Sequence, residues 1–401
     1  MRSGLPSNWK ATAAIFGGLV IVFVVVAWLA GRMTTAPAFI GDSAYQSLVS
    51  ARTVSRVADN LGPVTRIKLT PDELLMFVTN LNGEVFVLAK DGDQYIKQDT
   101  PVYKVRTGFV LGEENGMTGL VVSQNFSVNH YIFLTYAQRE GSVGRNRILR
   151  LTVEKQGEVY VGTEPKVIFT GNTPVLGAHQ IQGGVSVMIE SQPHLLFAVG
   201  EAYHPGYAQD LGREAGKLML ITEDGDNPYG ARPWPQYPKL QAIGIRNVYD
   251  LSVDPQTNWL YFTDNGPDSN DTIIHAPVLD GTRQFDFNWH NNADDLLNPL
   301  ENGQPHPEYV VYHWPVTVAP TDIAADNIGR FYFNIFSSVR EPQKELVMGK
   351  LNGQGIAALQ TIANRRPDVA GGNLLGLALS DNGSIYFGDF LDGAIYRFGR
   401  L

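Results

Sequence analysis

One phrase recurs along most of the chain and limits what it can fold into. An alternating apolar run leads to a turn rich in Asp, Asn or Pro, and a second apolar run carrying an aromatic follows. The copies are "VTRIKLTPDELLMFVTN" (64–80), "MTGLVVSQNFSVNHYIFLTYA" (117–137), "GGVSVMIESQPHLLFAVG" (183–200), "VYDLSVDPQTNWLYFTDNG" (248–266), "PTDIAADNIGRFYFNIF" (320–336) and "LLGLALSDNGSIYFGDF" (374–390). Period-two alternation interrupted by turn residues predicts paired antiparallel strands. Several copies continue into a third strand, as in "EVFVLAKDG", "RILRLTVEK" and "AIYRFGRL". A sheet of three or four strands cannot bury both of its faces alone. Six such sheets arranged radially can, with few exposed edges, so the prediction is all-β: a six-bladed β-propeller over residues 51–401. A pair of packed sheets is the alternative, and six like units favour the ring. The last copy ends at the C-terminus after three strands. Its outer strand is therefore expected from "ARTVSRVADNL" (51–61), closing the ring.

Ahead of this domain, residues 11–30 read "ATAAIFGGLVIVFVVVAWLA", twenty positions without a charge. A helix of that length crosses a hydrocarbon layer of roughly 30 Å. The expectation is a short cytoplasmic tail (1–10), an N-terminal transmembrane signal anchor (11–30), a linker (31–50), and a domain held on the periplasmic or extracellular face. A cleavable leader ending near "APA" (36–38) is the competing reading. The chain has no Cys, which excludes disulfides, thiolate nucleophiles and thiolate metal centres. A net charge of −9 argues against nucleic acid as a partner. The eight His show no HExxH or HxxxH spacing, and Walker, dinucleotide and GxSxG signatures are missing.

Seven stretches occur in an order that resembles the glucose/sorbosone dehydrogenase family: "GEENGMTGLVVSQNFSVNHYIFLTYA", "AHQIQGG", "GKLMLITEDGDNPYG", "GIRNVYDLSVDP", "DNGPDSND", "WPVTVAP" and "RRPDV…SDNGSIYF". The family contains soluble, calcium-dependent sugar dehydrogenases that use pyrroloquinoline quinone (PQQ) on a six-bladed propeller, and members without known dehydrogenase activity. The resemblance implies specific roles. His179 in "AHQIQGG" would be the base that takes the proton from a sugar hydroxyl. Its spacing to the following glycines is longer than the family's. Glu201 in "AVGEAYHPG" would orient that His, and Arg246 in "GIRNVYD" would stabilise charge on the reduced quinone. The loop "DNGPDSND" would supply Ca²⁺ with the carbonyls of Gly266 and Pro267 and the carboxylate of Asp271. The residue types suit these roles: imidazole titrates near neutral pH, guanidinium is a fixed cation, and Ca²⁺ takes oxygen ligands.

Other positions depart from the family pattern. Its acidic residue after Asp271 is Thr272 here. Its quinone-contacting Gln is Glu114, a carboxylate beside a tri-carboxylate cofactor. The Lys expected after "WPVTVAP" is replaced by Asp322 and Asp326, and its Arg pair is reduced to Arg340. Two functional readings follow. The first is a membrane-anchored, PQQ- and Ca²⁺-dependent aldose dehydrogenase acting on a sugar. The second is a catalytically inactive propeller serving as a binding or scaffold subunit of a membrane protein complex. Residue by residue the plain alternatives remain: a His bonded to backbone at a strand start, a loop carboxylate, an ordinary polar turn. The aromatic stretch "FDFNWHNN" (285–292) reads as a sugar-stacking loop or as packing between blades.

Overall fold

A computed structural model of the chain describes residues 53–108, 116–140, 143–175, 177–336, 345–364 and 373–399. The proposed anchor and linker, Glu114 and Arg340 lie outside them. Among the described residues no helix is long and apolar enough to cross a membrane.

Each repeated phrase folds as the two innermost strands of one sheet. In chain order these pairs are Val64–Leu69 with Leu75–Asn80, Met117–Val122 with Tyr131–Glu140, and Ile181–Ile189 with Gln192–Val199. Val248–Val253 with Leu260–Asp264, Pro320–Ala325 with Arg330–Ile335, and Leu374–Leu379 with Ile385–Asp389 follow. Third and fourth strands complete each of the six sheets, numbered here 1 to 6 in that order. The outer strand of sheet 6 is Thr53–Ala58, which pairs antiparallel with Ala394–Gly399, so Thr53 faces Gly399. Strand pairing thus joins the first described residues to the last, as the unpaired final copy predicted.

Alternation explains how each sheet buries both faces. Along Gln192–Val199, Leu195, Phe197 and Val199 pack against Val121 and Phe133 of sheet 2. The intervening Leu196 and Ala198 pack against Leu260 and Phe262 of sheet 4. Successive side chains of a strand point to opposite faces, so one strand serves two interfaces. The same holds around the molecule: Leu75 and Phe77 meet sheet 2, whereas Val64 and Met76 meet Tyr386 and Ile395 of sheet 6. Sheets 4 and 5, and 5 and 6, meet through comparable clusters. Every inner strand touches the next, and the sixth touches the first. The result is an all-β, propeller-like fold. Two packed sheets would give each sheet one buried face, not two.

The centre of this ring is charged. Arg66 of sheet 1 is fully buried and ion-paired with Asp322 of sheet 5, with Asp250 of sheet 4 at 3.5 Å. Its Nη2 donates to the carbonyls of Thr118 and Tyr249, both at 2.9 Å. Lys68 Nζ lies 2.9 Å from Asp250, and the Gly376 N–H donates to Asp322 at 2.7 Å. Asp322, which stands where the resemblance expects a cofactor-binding Lys, is thereby committed to the ring centre. Asp326 is a turn carboxylate that accepts from the Ile328 and Arg330 N–H groups and pairs with the Arg330 side chain.

Candidate active site

Register alone brings His179 to Glu201. In sheet 3 Ile181 lies opposite Val199, and beyond that pair the chains continue side by side. The Gly200 N–H donates to Gln180 O at 3.0 Å and the Ala202 N–H to His179 O at 3.1 Å. Gly200 is required here, because a Cβ would stand 2.6 Å from His179 O. The side chains then meet: His179 Nδ1 is 2.7 Å from Glu201 Oε1, with the residues 4% and 2% exposed. When Nδ1 donates to the carboxylate, Nε2 holds the lone pair, the tautomer a general base needs. His179, Ala202 and Tyr203 all have left-handed φ values of 58–59°, a local strain of the kind found at functional sites. The exposed Tyr203 ring covers the imidazole, with centroids 4.4 Å apart. Lys217 pins the intervening loop by donating to the carbonyls of Tyr207, Ala208 and Ala215 at 2.7–3.0 Å. Burial lowers this ammonium to about 8.

Arg246 joins this pair to the next sheet. Its carbonyl accepts from the Glu201 N–H at 2.9 Å. Its N–H and that of Asn247 donate to the two oxygens of Asp264, at 3.0 and 2.7 Å. Asp264 is fully buried at the end of its strand. Burial raises its pKa to about 6, opposed by those two N–H groups and by the charge of Arg246. The Arg246 guanidinium lies 5.4 Å from the centroid of the buried Trp289 ring. Trp289 is delivered by the 285–292 stretch, whose first strand adds to sheet 3 beside Leu240–Ile243. In that stretch, packing between elements is what the structure favours: Trp289 clusters with Ala208 and Leu296.

The expected calcium loop has another arrangement. Arg246 Nη1 donates to the carbonyls of Asn265 and Gly266, at 2.6 and 3.0 Å. Asp271 accepts from the Gly266 N–H (2.8 Å), the Thr317 hydroxyl (3.0 Å), the Val318 N–H (2.6 Å) and the Ala319 N–H (2.8 Å). Its carboxylate therefore clasps the "VTVA" segment. Pro267 is exposed, and Thr272 sits in the strand with its hydroxyl on Asp264 O at 3.2 Å. Gly266 is demanded by the turn, since a Cβ would collide with Ser269 O at 1.8 Å. Among the described residues no group of three or more His, Asp or Glu side chains is placed to hold a metal. The oxygens assigned to Ca²⁺ at Gly266 and Asp271 are already engaged, and as arranged this donor set does not fit the ion.

The residues thus divide. His179, Glu201, Arg246 and Gly266 converge; Asp271 reaches the group only through the Gly266 N–H, its carboxylate turned away; Pro267 stays at the surface. Asp264, Asn247 and Asn265 belong to the site and were missed, although Asp264 and Asn265 begin the "DNGPDSND" loop itself; Trp289, from the 285–292 stretch singled out in the sequence, lies against Arg246. Five buried polar atoms here lack a protein partner: Glu201 Oε2, Arg246 Nε, Asn247 Oδ1, Asn265 Oδ1 and Trp289 Nε1. Buried polar atoms are rarely left so, and these five belong to residues that converge on the carboxylate-bound His.

A propeller-like ring with a buried His–carboxylate pair beside a guanidinium defines the class as a sugar-dehydrogenase-like propeller. The chain belongs to the glucose/sorbosone dehydrogenase family, whose model matches residues 63–370. It is 26% identical over 235 residues to the aldose sugar dehydrogenase YliI of Escherichia coli, covering 54% of this chain and 59% of that protein. It is 24% identical over 273 residues to an uncharacterized protein of Synechocystis, covering 63% and 62%. The chain therefore spans about three-fifths of the length of these relatives. The apo soluble aldose sugar dehydrogenase of E. coli shares the fold with a TM-score of 0.66 at 17% identity, covering 87% of this chain and 100% of that one. The PQQ-bound aldose sugar dehydrogenase of Streptomyces coelicolor does so at 0.61 and 18%, covering 86% and 98%.

Proposed function

We propose that this protein is an aldose dehydrogenase-type oxidoreductase on a six-bladed propeller, using PQQ as its electron acceptor. The observation that carries the reading is the 2.7 Å contact between His179 and Glu201, next to buried polar atoms without protein partners. His179 takes the proton from the sugar hydroxyl through Nε2. Glu201 holds the ring and stabilises the imidazolium that forms. Arg246 Nε and Trp289 Nε1 are buried donors without a protein acceptor, and they would be the groups to hold the oxygens of a quinone. Bound PQQ supplies the two-electron sink for the hydride leaving the sugar carbon. The PQQ-bound neighbour supports this choice of cofactor. Calcium is left out of this proposal, because the Gly266 carbonyl and the Asp271 carboxylate expected to bind it are engaged within the protein. Dye reduction by the purified full-length chain with PQQ and a panel of aldoses tests the proposal; no quinone binding and no turnover would sink it.

A non-catalytic binding subunit is the second reading. It is favoured by Asp322, an anion standing where the resemblance expects a Lys, and by Lys217, whose ammonium is taken up by three carbonyls, so that few cations are left for a tri-anionic ligand. We further propose that residues 11–30 anchor the chain in a membrane, with the propeller on the periplasmic or extracellular side; the uncharged twenty-residue run supports this.

A further inference from the structure

Two carbonyls of the 264–272 stretch are bonded to one guanidinium. Two carbonyls, those of Asn265 and Gly266, point at one place, and the Arg246 Nη1 donates to both, at 2.6 and 3.0 Å. Convergent carbonyl dipoles repel one another unless a positive charge sits between them, which is what makes such loops cation sites. The backbone of the same residue is fixed from behind: Asp264 accepts its N–H, and its carbonyl accepts the Glu201 N–H. The Trp289 ring lies against the guanidinium. A second buried carboxylate of the stretch, Asp271, accepts from the Gly266, Val318 and Ala319 N–H groups and the Thr317 hydroxyl. Where the family pattern has a further acidic residue, the chain has Thr272, buried in a strand. The hydroxyl of Thr272 donates to the Asp264 carbonyl at 3.2 Å, so that position adds no negative charge to the loop.

We propose that the Arg246 guanidinium is the resident cation of this loop, taking the place of a calcium ion, so that the site assembles without metal. A fixed guanidinium cannot be stripped by a chelator and carries its positive charge at any working pH. The main-chain carbonyl of the same residue accepts from the Glu201 N–H, so the residue that carries the cation also adjoins the His179–Glu201 pair. This inference stands apart from the dehydrogenase reading, because its test requires no turnover.

The test is thermal unfolding of the purified full-length chain in detergent with EDTA, with millimolar CaCl₂, and with neither. The wild type should melt at one temperature in all three. Arg246→Gln, which leaves the two carbonyls without a cation, should melt lower by roughly 3 to 6 °C, and Arg246→Lys should recover part of that loss. A calcium-dependent rise in the wild type that Asp271→Asn removes would overturn the inference. So would an Arg246→Gln variant melting with the wild type. Should Arg246→Gln fail to fold, the EDTA and calcium arms on the wild type still decide.

Discussion

Glu201 donates its backbone N–H to the carbonyl of Arg246 at 2.9 Å, while its side chain accepts from His179 at 2.7 Å. One residue thus joins His179 to the main chain of Arg246, and two neighbouring sheets meet at it. His179 and Glu201 continue the register of sheet 3 past its last strand pair, and Arg246, in the bend before Val248–Val253, is fixed to them and to Asp264 by main-chain hydrogen bonds.

Glu201→Gln tests the charge in this coupling. An amide oxygen still accepts from Nδ1, so ring orientation survives while stabilisation of the imidazolium is lost. Turnover is expected to fall by about 10²- to 10⁴-fold with quinone affinity little changed. Steady-state kinetics beside a quinone-binding titration separates the two. A parallel loss of both would make Glu201 a structural residue only.

Asp264 gives the fold a pH dependence of known sign. Its folded pKa is raised by burial to about 6 from an ordinary 3.8. The folded state therefore holds the proton more tightly, and the stabilisation is complete below about 4 and lost as pH rises through about 6. The magnitude is ~3 kcal/mol. Denaturant unfolding of the wild type and Asp264→Asn across pH 4 to 7 reads it out. The stability gap between them should narrow as pH rises, and a gap independent of pH would contradict the account.

At the ring centre, Arg66 is buried between Asp322 and Asp250. Removing one member strands a buried charge, so Arg66→Met should destabilise by about 3 to 5 kcal/mol. Replacing Arg66, Asp250 and Asp322 together with apolar residues should cost less than Arg66→Met alone. Urea unfolding of both variants checks the order.

The pairing of Thr53–Ala58 with Ala394–Gly399 predicts a sharp boundary for truncation. A chain starting at residue 59 leaves an edge of sheet 6 unpaired and should melt lower and aggregate. A chain starting at residue 51 should melt like the full-length protein. Calorimetry with light scattering distinguishes them.

Much of this architecture was legible in the sequence because alternation and turn residues act locally. The six repeated phrases gave the strand pairs, and the unpaired last copy predicted the closing strand. The His179–Glu201 pair was legible through the family pattern, and the register that joins Ile181 to Val199 is its physical cause. The contacts that decide the chemistry of the calcium-like loop were not legible. They depend on where two backbone carbonyls point and on one long side chain reaching them. Arg66 and Asp322 lie 256 residues apart and meet only because the ring closes. Asp264 looked like one more acidic turn residue until burial and two N–H donors set it apart.

The central claim is that His179, supported by Glu201, removes a proton from an aldose while a quinone accepts the hydride. The most direct measurement is dye-linked oxidation of aldoses by the PQQ-supplemented full-length chain, wild type against His179→Ala. The account predicts turnover by the wild type and a loss of at least about 10²-fold in the variant, with quinone binding retained. Equal rates in the two proteins, or a wild type that binds quinone and oxidises no aldose, would contradict it.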